Sequence, residues 1–157
     1  MASSGPIPPD LAAALSGRYE LRDLLGRGGM AIVYLAYDRK HQRVVALKVL
    51  QQELAANLGA DRFLKEIHIV AQLTHPHILP LYDSGEAGEF LYYVMPYLTG
   101  GSLRQRLSEH GPMDAPHALA IADPVADALT YAHGMGILHR DIKPENILFS
   151  QGHAIVG

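Results

Sequence analysis

The sequence has no cysteine among its 157 residues, and its basic residues are not in excess. The lack of cysteine excludes disulfide bonds, thiolate metal sites and cysteine nucleophiles, and it fits a reducing compartment. Thirteen Lys and Arg stand against sixteen Asp and Glu, for a formal net charge of -3. No basic run follows one segment, so we expect no nucleic-acid partner. The nine histidines lack partners at metal-ligand spacing, which argues against a transition-metal site.

Long hydrophobic runs are also missing. No apolar stretch approaches the roughly 18 residues needed to cross a bilayer, and the start "MASSGPIPPDLAAALSG" lacks the positive region that opens a signal peptide. We therefore expect no membrane segment here and a cytoplasmic location, while an anchor further along a full-length protein stays open. With 48% hydrophobic residues, the chain is suited to an ordinary globular domain.

The N-terminal part of the chain has the pattern of a sheet. Residues 1–17 are expected to be a flexible tail, because Ser, Gly and Pro dominate their start. A single main helix is predicted over 61–73, with Asp61 placed to cap it. Short runs rich in β-branched and aromatic residues predict five antiparallel strands, at 19–26, 30–38, 43–50, 78–83 and 90–97.

Helical periodicity begins after "LTGGS", whose composition suits a linker. A short helix is predicted in "SLRQRLSEHG" and a long one in "DAPHALAIADPVADALTYAHGMG". The expected fold class is therefore α+β, with a sheet-rich domain over 18–98 followed by the start of a helical domain over 99–157.

Gly26, Gly28 and Gly29 lie between two predicted strands in "LGRGGMAIVYLAYD". Backbone without side chains can approach a polyphosphate and direct N–H groups at its oxygens, although a plain glycine-rich hairpin would show the same pattern. A dinucleotide site would need a helix after the glycines and an acid about twenty residues on. A strand follows instead and position 46 is Ala, so that interpretation fails.

Lys48 is a charged residue inside the otherwise apolar run "VVALKVL". A buried unpaired ammonium is costly, so this lysine needs a carboxylate or a phosphate. The alternative is a lysine that extends from the strand edge to solvent. Glu66, on the predicted helix, is the obvious carboxylate. We expect a Lys48–Glu66 pair that aims the amine at the phosphates of a nucleotide.

The string "HRDIKPENIL" carries three chemically distinct groups within six residues of one another. Asp141 supplies a carboxylate to accept a hydroxyl proton, Lys143 a cation for a transferring phosphoryl group, and Asn146 an amide oxygen for a metal. A charged surface loop could explain any one of them. It does not explain all three after a glycine loop and a strand lysine in the same order.

With these motifs and with "FLKEI", "HPHILPLYDSGE" and "YYVMPYLTGGSL", the chain from about Gly17 to Gly157 resembles the protein kinase family. Within that family it resembles the bacterial serine/threonine kinases of eukaryotic type. The resemblance implies a two-lobed fold, ATP and Mg²⁺ as cofactors, and a protein substrate with a Ser/Thr acceptor. It makes Asp141 the catalytic base and places Asn146 on magnesium, and Lys143 before Pro144 looks like the serine/threonine branch.

The resemblance also implies an ATP-binding set, with Met95 as gatekeeper of a hinge. Pro96 stands where the family usually has an acid, and it keeps the carbonyl that faces adenine. Ala31 replaces the third glycine of the phosphate loop, which we expect to be tolerated. The implied set comprises Leu25, Gly26, Arg27, Gly28, Gly29, Met30, Ala31, Ile32, Val33, Ala46, Lys48, Glu66, Met95, Pro96 and Leu98.

In kinases that this chain resembles, two short strands follow the position of Asn146 and lead to an Asp-Phe-Gly motif, whose Asp holds magnesium. Here "ILFSQGHAIVG" supplies the two strands and the sequence stops before that Asp. Two classes of function stay open. One is an ATP-dependent serine/threonine kinase, present as an incomplete fragment that is inactive alone. The other is a catalytically silent kinase-like module that binds nucleotide or a partner.

Overall fold

The computed structural model describes residues 6–157, which divide into two compact units. The first unit runs to Gln72 and resumes over Leu81–Tyr97, and the second combines Leu73–Pro80 with Leu98–Gly157. Segment 73–80 therefore stands with the second unit, although the sequence pattern placed it in the sheet-rich domain. The expected flexible tail over residues 1–5 lies outside the described residues.

The first unit is a five-stranded antiparallel sheet with helices, as the α+β prediction required. The strand order is β1-β2-β3-β5-β4. Its elements are α1 (Pro9–Leu15), β1 (Tyr19–Arg27), β2 (Ala31–Asp38), β3 (Arg43–Leu50), α2 (Gln52–Leu58), α3 (Ala60–Val70), β4 (Asp83–Ala87) and β5 (Phe90–Pro96).

Helix α1 corrects the prediction of a flexible tail. Leu11 and Leu15 are 1% and 4% exposed and belong to the core cluster of the sheet. Pro9 occupies the first turn, where a missing N–H costs nothing. The two leucines are four residues apart and so share one face. Residues 9–15 are consequently an ordered part of the first unit.

Two further elements differ from the sequence prediction. The fourth strand is Asp83–Ala87 and not 78–83, because Ile78 forms a bridge with Val156 in the second unit. Helix α2 was not predicted at all. Helix α3 is the expected main helix, but Gly59 stands at its N-cap without a side-chain bond, so Asp61 does not cap it.

The second unit contains the predicted short helix, α4 (Leu103–His110), and the predicted long one, α5 (Ala115–Gly134). A 3₁₀ turn over Pro144–Asn146 leads into a hairpin of β6 (Ile147–Ser150) and β7 (His153–Val156). The hairpin packs on α5 through a core that consists of Ala128, Ile147, Phe149, Ala154 and Val156. No helix in residues 6–157 is both long and apolar enough to cross a membrane.

Candidate active site

The glycine loop connects β1 to β2 and is fastened at its base. The N–H of Gly28 donates to the carbonyl of Ala31 at 2.9 Å. Gln51, after β3, donates from its backbone N–H to Met30 O and from Nε2 to Gly28 O, both at 3.0 Å. A Cβ added at Gly26 or Gly29 would meet no atom within 4 Å. The loop is therefore fastened through Gly28 and Met30, while Gly26 and Gly29 leave room for a ligand.

The strand register places the other expected nucleotide-binding residues of the first unit. Gly26 lies opposite Val33 and Arg27 opposite Ile32 in the β1–β2 pairing. In the β3–β5 pairing, Ala46 lies beside Met95 and Val45 beside Pro96.

Four other members of the expected set sit in different surroundings. Ala31 is buried, with 6% exposure, so its methyl group belongs to the packing below the loop. Leu25 on β1 and Met30 at the loop tip are 39% and 64% exposed. Leu98 belongs to the second unit.

The expected Lys48–Glu66 pair is not formed. Lys48 Nζ lies 5.5 Å from the centroid of the Tyr93 ring, its neighbour across β5, and the described residues offer it no carboxylate within 4.0 Å. Glu66 Oε1 instead lies 3.1 Å from Arg62 Nε, one turn earlier on α3. The Glu66 side chain is exposed, and Arg62, four residues earlier on the same helix, is within reach of it.

Residues 139–147 form the candidate catalytic loop. Three side chains of this loop meet at the carboxylate of Asp141. Asn146 Nδ2 donates to Asp141 O at 2.8 Å and to Asp141 Oδ2 at 3.2 Å. Lys143 Nζ lies 3.3 Å from the same Oδ2. The 3₁₀ turn brings Asn146 back over the loop, and its N–H donates to Lys143 O at 2.9 Å. The structure thus assembles the set that the sequence predicted in this unit.

Two contacts hold the start of this loop. His139 Nδ1 accepts the N–H of Asp141 at 3.1 Å, and His139 Nε2 donates to Gly157 O at 2.7 Å. Together they select the neutral Nε2–H tautomer of His139. Arg140 between them has φ 68°, a left-handed conformation that costs about 1–3 kcal/mol and persists only where surrounding contacts enforce it.

A further residue of the loop has a partner that the sequence did not indicate. Arg104 Nε of α4 donates to Glu145 Oε1 at 2.8 Å, across 41 positions of sequence. This hydrogen bond lowers the pKa of the Glu145 carboxyl below its ordinary value. Glu145 precedes Asn146 in the 3₁₀ turn, so the ion pair ties the amide-bearing turn to α4.

Asn146 is the residue here best suited to Mg²⁺. Its Nδ2 is engaged twice by Asp141, and its Oδ1 accepts no hydrogen bond from any described residue. A neutral amide oxygen is a hard ligand of the kind that Mg²⁺ accepts. No group of three or more His, Cys, Asp or Glu within residues 6–157 could hold a metal ion.

Comparison with known proteins places these residues in context. The protein kinase domain family matches residues 19–156. Serine/threonine-protein kinase PknB of Mycobacterium leprae (strain TN) is 44% identical over 146 residues, covering 90% of this chain and 24% of the relative. The probable serine/threonine-protein kinase PknB of Bifidobacterium longum (strain NCC 2705) is 41% identical over 149 residues, with coverages of 88% and 22%.

Serine/threonine-protein kinase PknD of Mycobacterium tuberculosis (strain ATCC 25618 / H37Rv) is also similar. It is 44% identical over 133 residues, which cover 84% of this chain and 20% of the relative. The chain thus spans between 20% and 24% of the length of these curated relatives.

Proposed function

The chain belongs to the protein kinase family, and we propose that it contributes the nucleotide-binding and catalytic residues of an ATP-dependent serine/threonine protein kinase. The observation that carries this proposal is the convergence of Asn146 Nδ2 and Lys143 Nζ on the Asp141 carboxylate. Such an arrangement fixes a base and a cation side by side, which a reaction that depends on positioning requires.

In the proposed reaction, Asp141 accepts the proton of a Ser or Thr hydroxyl as that oxygen attacks the γ-phosphorus of ATP, and the bond from the γ-phosphorus to the β–γ bridging oxygen breaks so that ADP leaves. Asn146 keeps the carboxylate oriented, and Lys143 presents positive charge to the phosphoryl group in transit. Asn146 Oδ1 would hold Mg²⁺, which supplies neutralising charge at the phosphate oxygens when bound.

The first unit supplies the proposed nucleotide contacts. The glycine loop over Gly26, Gly28 and Gly29 would lie along the phosphates, and because the Gly28 N–H is already bonded to Ala31 O, other N–H groups of the loop would bond the phosphate oxygens. Lys48 has an aromatic ring and no carboxylate beside it among the described residues, so its ammonium is available to a phosphate. The carbonyl of Pro96 would accept a hydrogen bond from adenine. Segments 18–98 and 99–157 would then be the N-lobe and the start of the C-lobe.

We further propose that residues 1–157, as an isolated polypeptide, do not transfer phosphate at a useful rate. In-line transfer relies on metal charge held firmly over the phosphate oxygens, and Asn146 is the sole side chain assigned here as a magnesium ligand. The assay measures γ-phosphate transfer by the purified 157-residue polypeptide and by its Asp141→Asn variant, with magnesium and a basic protein acceptor. Robust transfer that the Asp141→Asn variant lacks would contradict this part of the proposal.

The second candidate is a silent module that binds nucleotide or a partner without catalysis. The missing Lys48–Glu66 pair is the observation that favours it, because a nucleotide positioned by Lys48 alone would be held less firmly. The three intact groups of the catalytic loop favour the kinase.

A transfer assay separates the two candidates. The natural protein is incubated with magnesium, a generic basic protein acceptor and ATP labelled at the γ-phosphate, with α-labelled ATP as the control. We expect γ-label on Ser or Thr of the acceptor and no transfer of α-label. ATP binding without any transfer would support the silent module, and label on Tyr alone would contradict the Ser/Thr assignment.

A further inference from the structure

Strand β7 has β6 on one edge and residues 77–79 on the other. Val156 N–H donates to His77 O at 2.8 Å, and Leu79 N–H donates to Val156 O at 2.8 Å. The imidazole of His77 adds a third bond, from Nδ1 to Ala154 O at 2.9 Å. Segment 77–79, which follows α3 in the chain but belongs to the second unit, therefore acts as a short third strand beside the hairpin.

The end of β7 contacts the catalytic loop from both sides. Gly157, the residue after the strand, donates its N–H to Asn146 O at 2.9 Å. Its carbonyl accepts from His139 Nε2 at 2.7 Å, and His139 Nδ1 accepts the Asp141 N–H at 3.1 Å. A lateral shift of β7 would thus move Asp141 and Asn146 together.

We propose that His77 is a positioning residue for the catalytic loop, acting through β7 and Gly157. This inference rests on the proposed function, since the loop it positions is the one assigned to phosphoryl transfer. Any residue at position 77, and any residue but proline at position 79, could make the two backbone bonds, so the Nδ1 bond to Ala154 O is the one that depends on the histidine side chain.

The position of His77 is itself well defined. Its own N–H donates to His75 Nδ1 at 3.0 Å, and His75 Nε2 lies 3.2 Å from Asp127 Oδ2 on α5. Ile78, the next residue, packs against the core cluster of the hairpin and α5. The contact with His75 and the packing of Ile78 therefore fix the position from which His77 Nδ1 donates to β7.

Two substitutions at His77 distinguish the effect of losing the hydrogen-bond donor from the effect of changing the volume of the side chain. His77→Leu removes the N–H and leaves Ala154 O without its partner, whereas His77→Asn offers an amide N–H at about the distance from Cα at which Nδ1 lies. His153→Leu is the matched control, because His153 is exposed on the same hairpin and no described residue hydrogen-bonds its ring.

The first readout is steady-state kinetics of the natural protein. We expect His77→Leu to lower kcat by about tenfold with the KM for ATP unchanged, the size of effect that one lost hydrogen bond can have. His77→Asn should recover most of the rate, and His153→Leu should match the wild type. Equal kcat for His77→Leu and wild type, or an Asn variant as slow as the Leu variant, would overturn the inference.

The second readout does not need activity. Amide hydrogen exchange over residues 139–147 should be faster in His77→Leu than in wild type or His77→Asn. Unchanged exchange would also overturn the inference, and an inactive wild type would overturn only the proposed function. If His77→Leu does not fold, His77→Gln replaces it, since its amide lies one methylene too far from the backbone.

Discussion

Within the second unit, Asp141, Lys143 and Asn146 already contact one another, whereas within the first unit Lys48 and Glu66 do not. The contacts among these three side chains span at most five positions of sequence. The expected Lys48–Glu66 pair would join a strand to a helix 18 residues later, and Glu66 is paired with Arg62 instead. The candidate residues of the second unit are thus held by contacts with one another, whereas those of the first unit are not.

This difference has a physical cause. The three groups bond to one another within one turn, and Arg104 and Gly157 hold that turn in place from elsewhere in the second unit. A strand lysine can meet a helix carboxylate only if the helix is rotated and translated correctly, and a packed Phe63 opposes that rotation. We infer that Asp141 and Lys143 are arranged before any nucleotide binds. Lys48, in contrast, would gain an anionic partner only when a phosphate binds.

Substitution of Asp141, the proposed base, should have the largest effect of the variants considered, and the effect should be on the rate of phosphate transfer. Asp141→Asn in the natural protein is expected to lower the transfer rate by about 10²–10⁴, because a positioned general base commonly contributes that much. ATP affinity should not change, because in the proposed reaction the Asp141 carboxylate acts on the acceptor hydroxyl and not on the nucleotide. Single-turnover transfer and calorimetric ATP titration measure the two quantities.

Asp123→Asn is the control for that experiment, since Asp123 is exposed on α5 and no described residue forms an ion pair with it. A fully active Asp141→Asn variant would place the base elsewhere.

A substitution at Asp38 tests whether the hydrogen bonds to this buried carboxylate of the first unit contribute to stability and not to nucleotide binding. Its carboxylate is 1% exposed and accepts bonds from Lys40 N at 3.0 Å, His41 N at 3.2 Å and His41 Nδ1 at 2.8 Å. Asp38→Ala should lower the free energy of unfolding by about 2–3 kcal/mol, because two backbone N–H groups and the His41 ring lose their charged acceptor. ATP affinity of the folded variant should match wild type, since Asp38 and the glycine loop lie at opposite ends of β2.

The effect of Asp38 should depend on pH. Burial acts to raise the pKa of Asp38, but the hydrogen bonds from His41 and Lys40 prevail and lower it below its ordinary value of 3.8. The ionised carboxylate therefore stabilises the fold fully above that value and loses its contribution as the pH falls through the lowered pKa. Thermal melts of wild type and Asp38→Ala should converge in acid. A constant difference down to low pH would contradict this assignment.

Lys48→Met tests the first unit directly. We expect the affinity for ATP to fall by about 1–3 kcal/mol, the range for a charge-assisted contact to phosphate. Calorimetry on the folded variant measures it. Lys65→Met, an exposed lysine of α3, is the matched control and should bind ATP like wild type. An unchanged affinity in Lys48→Met would mean that the phosphates do not lie near this strand.

Glu66→Gln should have the smallest effect. Glu66 contacts Arg62 and not Lys48, so Glu66→Gln should lower the free energy of unfolding by only about 0.2–0.5 kcal/mol, the contribution of a helical ion pair. For the same reason, ATP affinity should change by less than about twofold. Chemical denaturation and the same titration measure these. A loss of affinity as large as that of Lys48→Met would show that Glu66 acts on the nucleotide.

Much of the fold follows from local pattern, and the exceptions are instructive. Strands β1, β2, β3 and β5 could be predicted because short runs rich in β-branched and aromatic residues, bounded by turn signals, are typical of strands. The run at 78–83 has the same composition, yet Ile78 pairs with Val156, a partner 78 positions later that no local window contains. The true β4, "DSGEA", has little strand propensity and is a strand because β5 supplies its partner.

The candidate site divides in the same way. Asp141, Lys143 and Asn146 could be predicted because their chemistry stands within one short motif that follows a glycine loop and a strand lysine. The contacts Arg104–Glu145 and His77–Ala154 could not, because they join residues 41 and 77 positions apart. Helix α1 was missed although Pro9 and the four-residue spacing of Leu11 and Leu15 carried a usable signal.

Amide hydrogen exchange with and without a non-hydrolysable ATP analogue and magnesium tests the central difference between the two units most directly. If the catalytic loop is arranged in advance, residues 139–147 of the natural protein should change little in protection on binding. The glycine loop, residues 25–33, should become clearly more protected as its open N–H groups bond to phosphate. A gain in protection over residues 139–147 that equals or exceeds that of residues 25–33 would contradict the account.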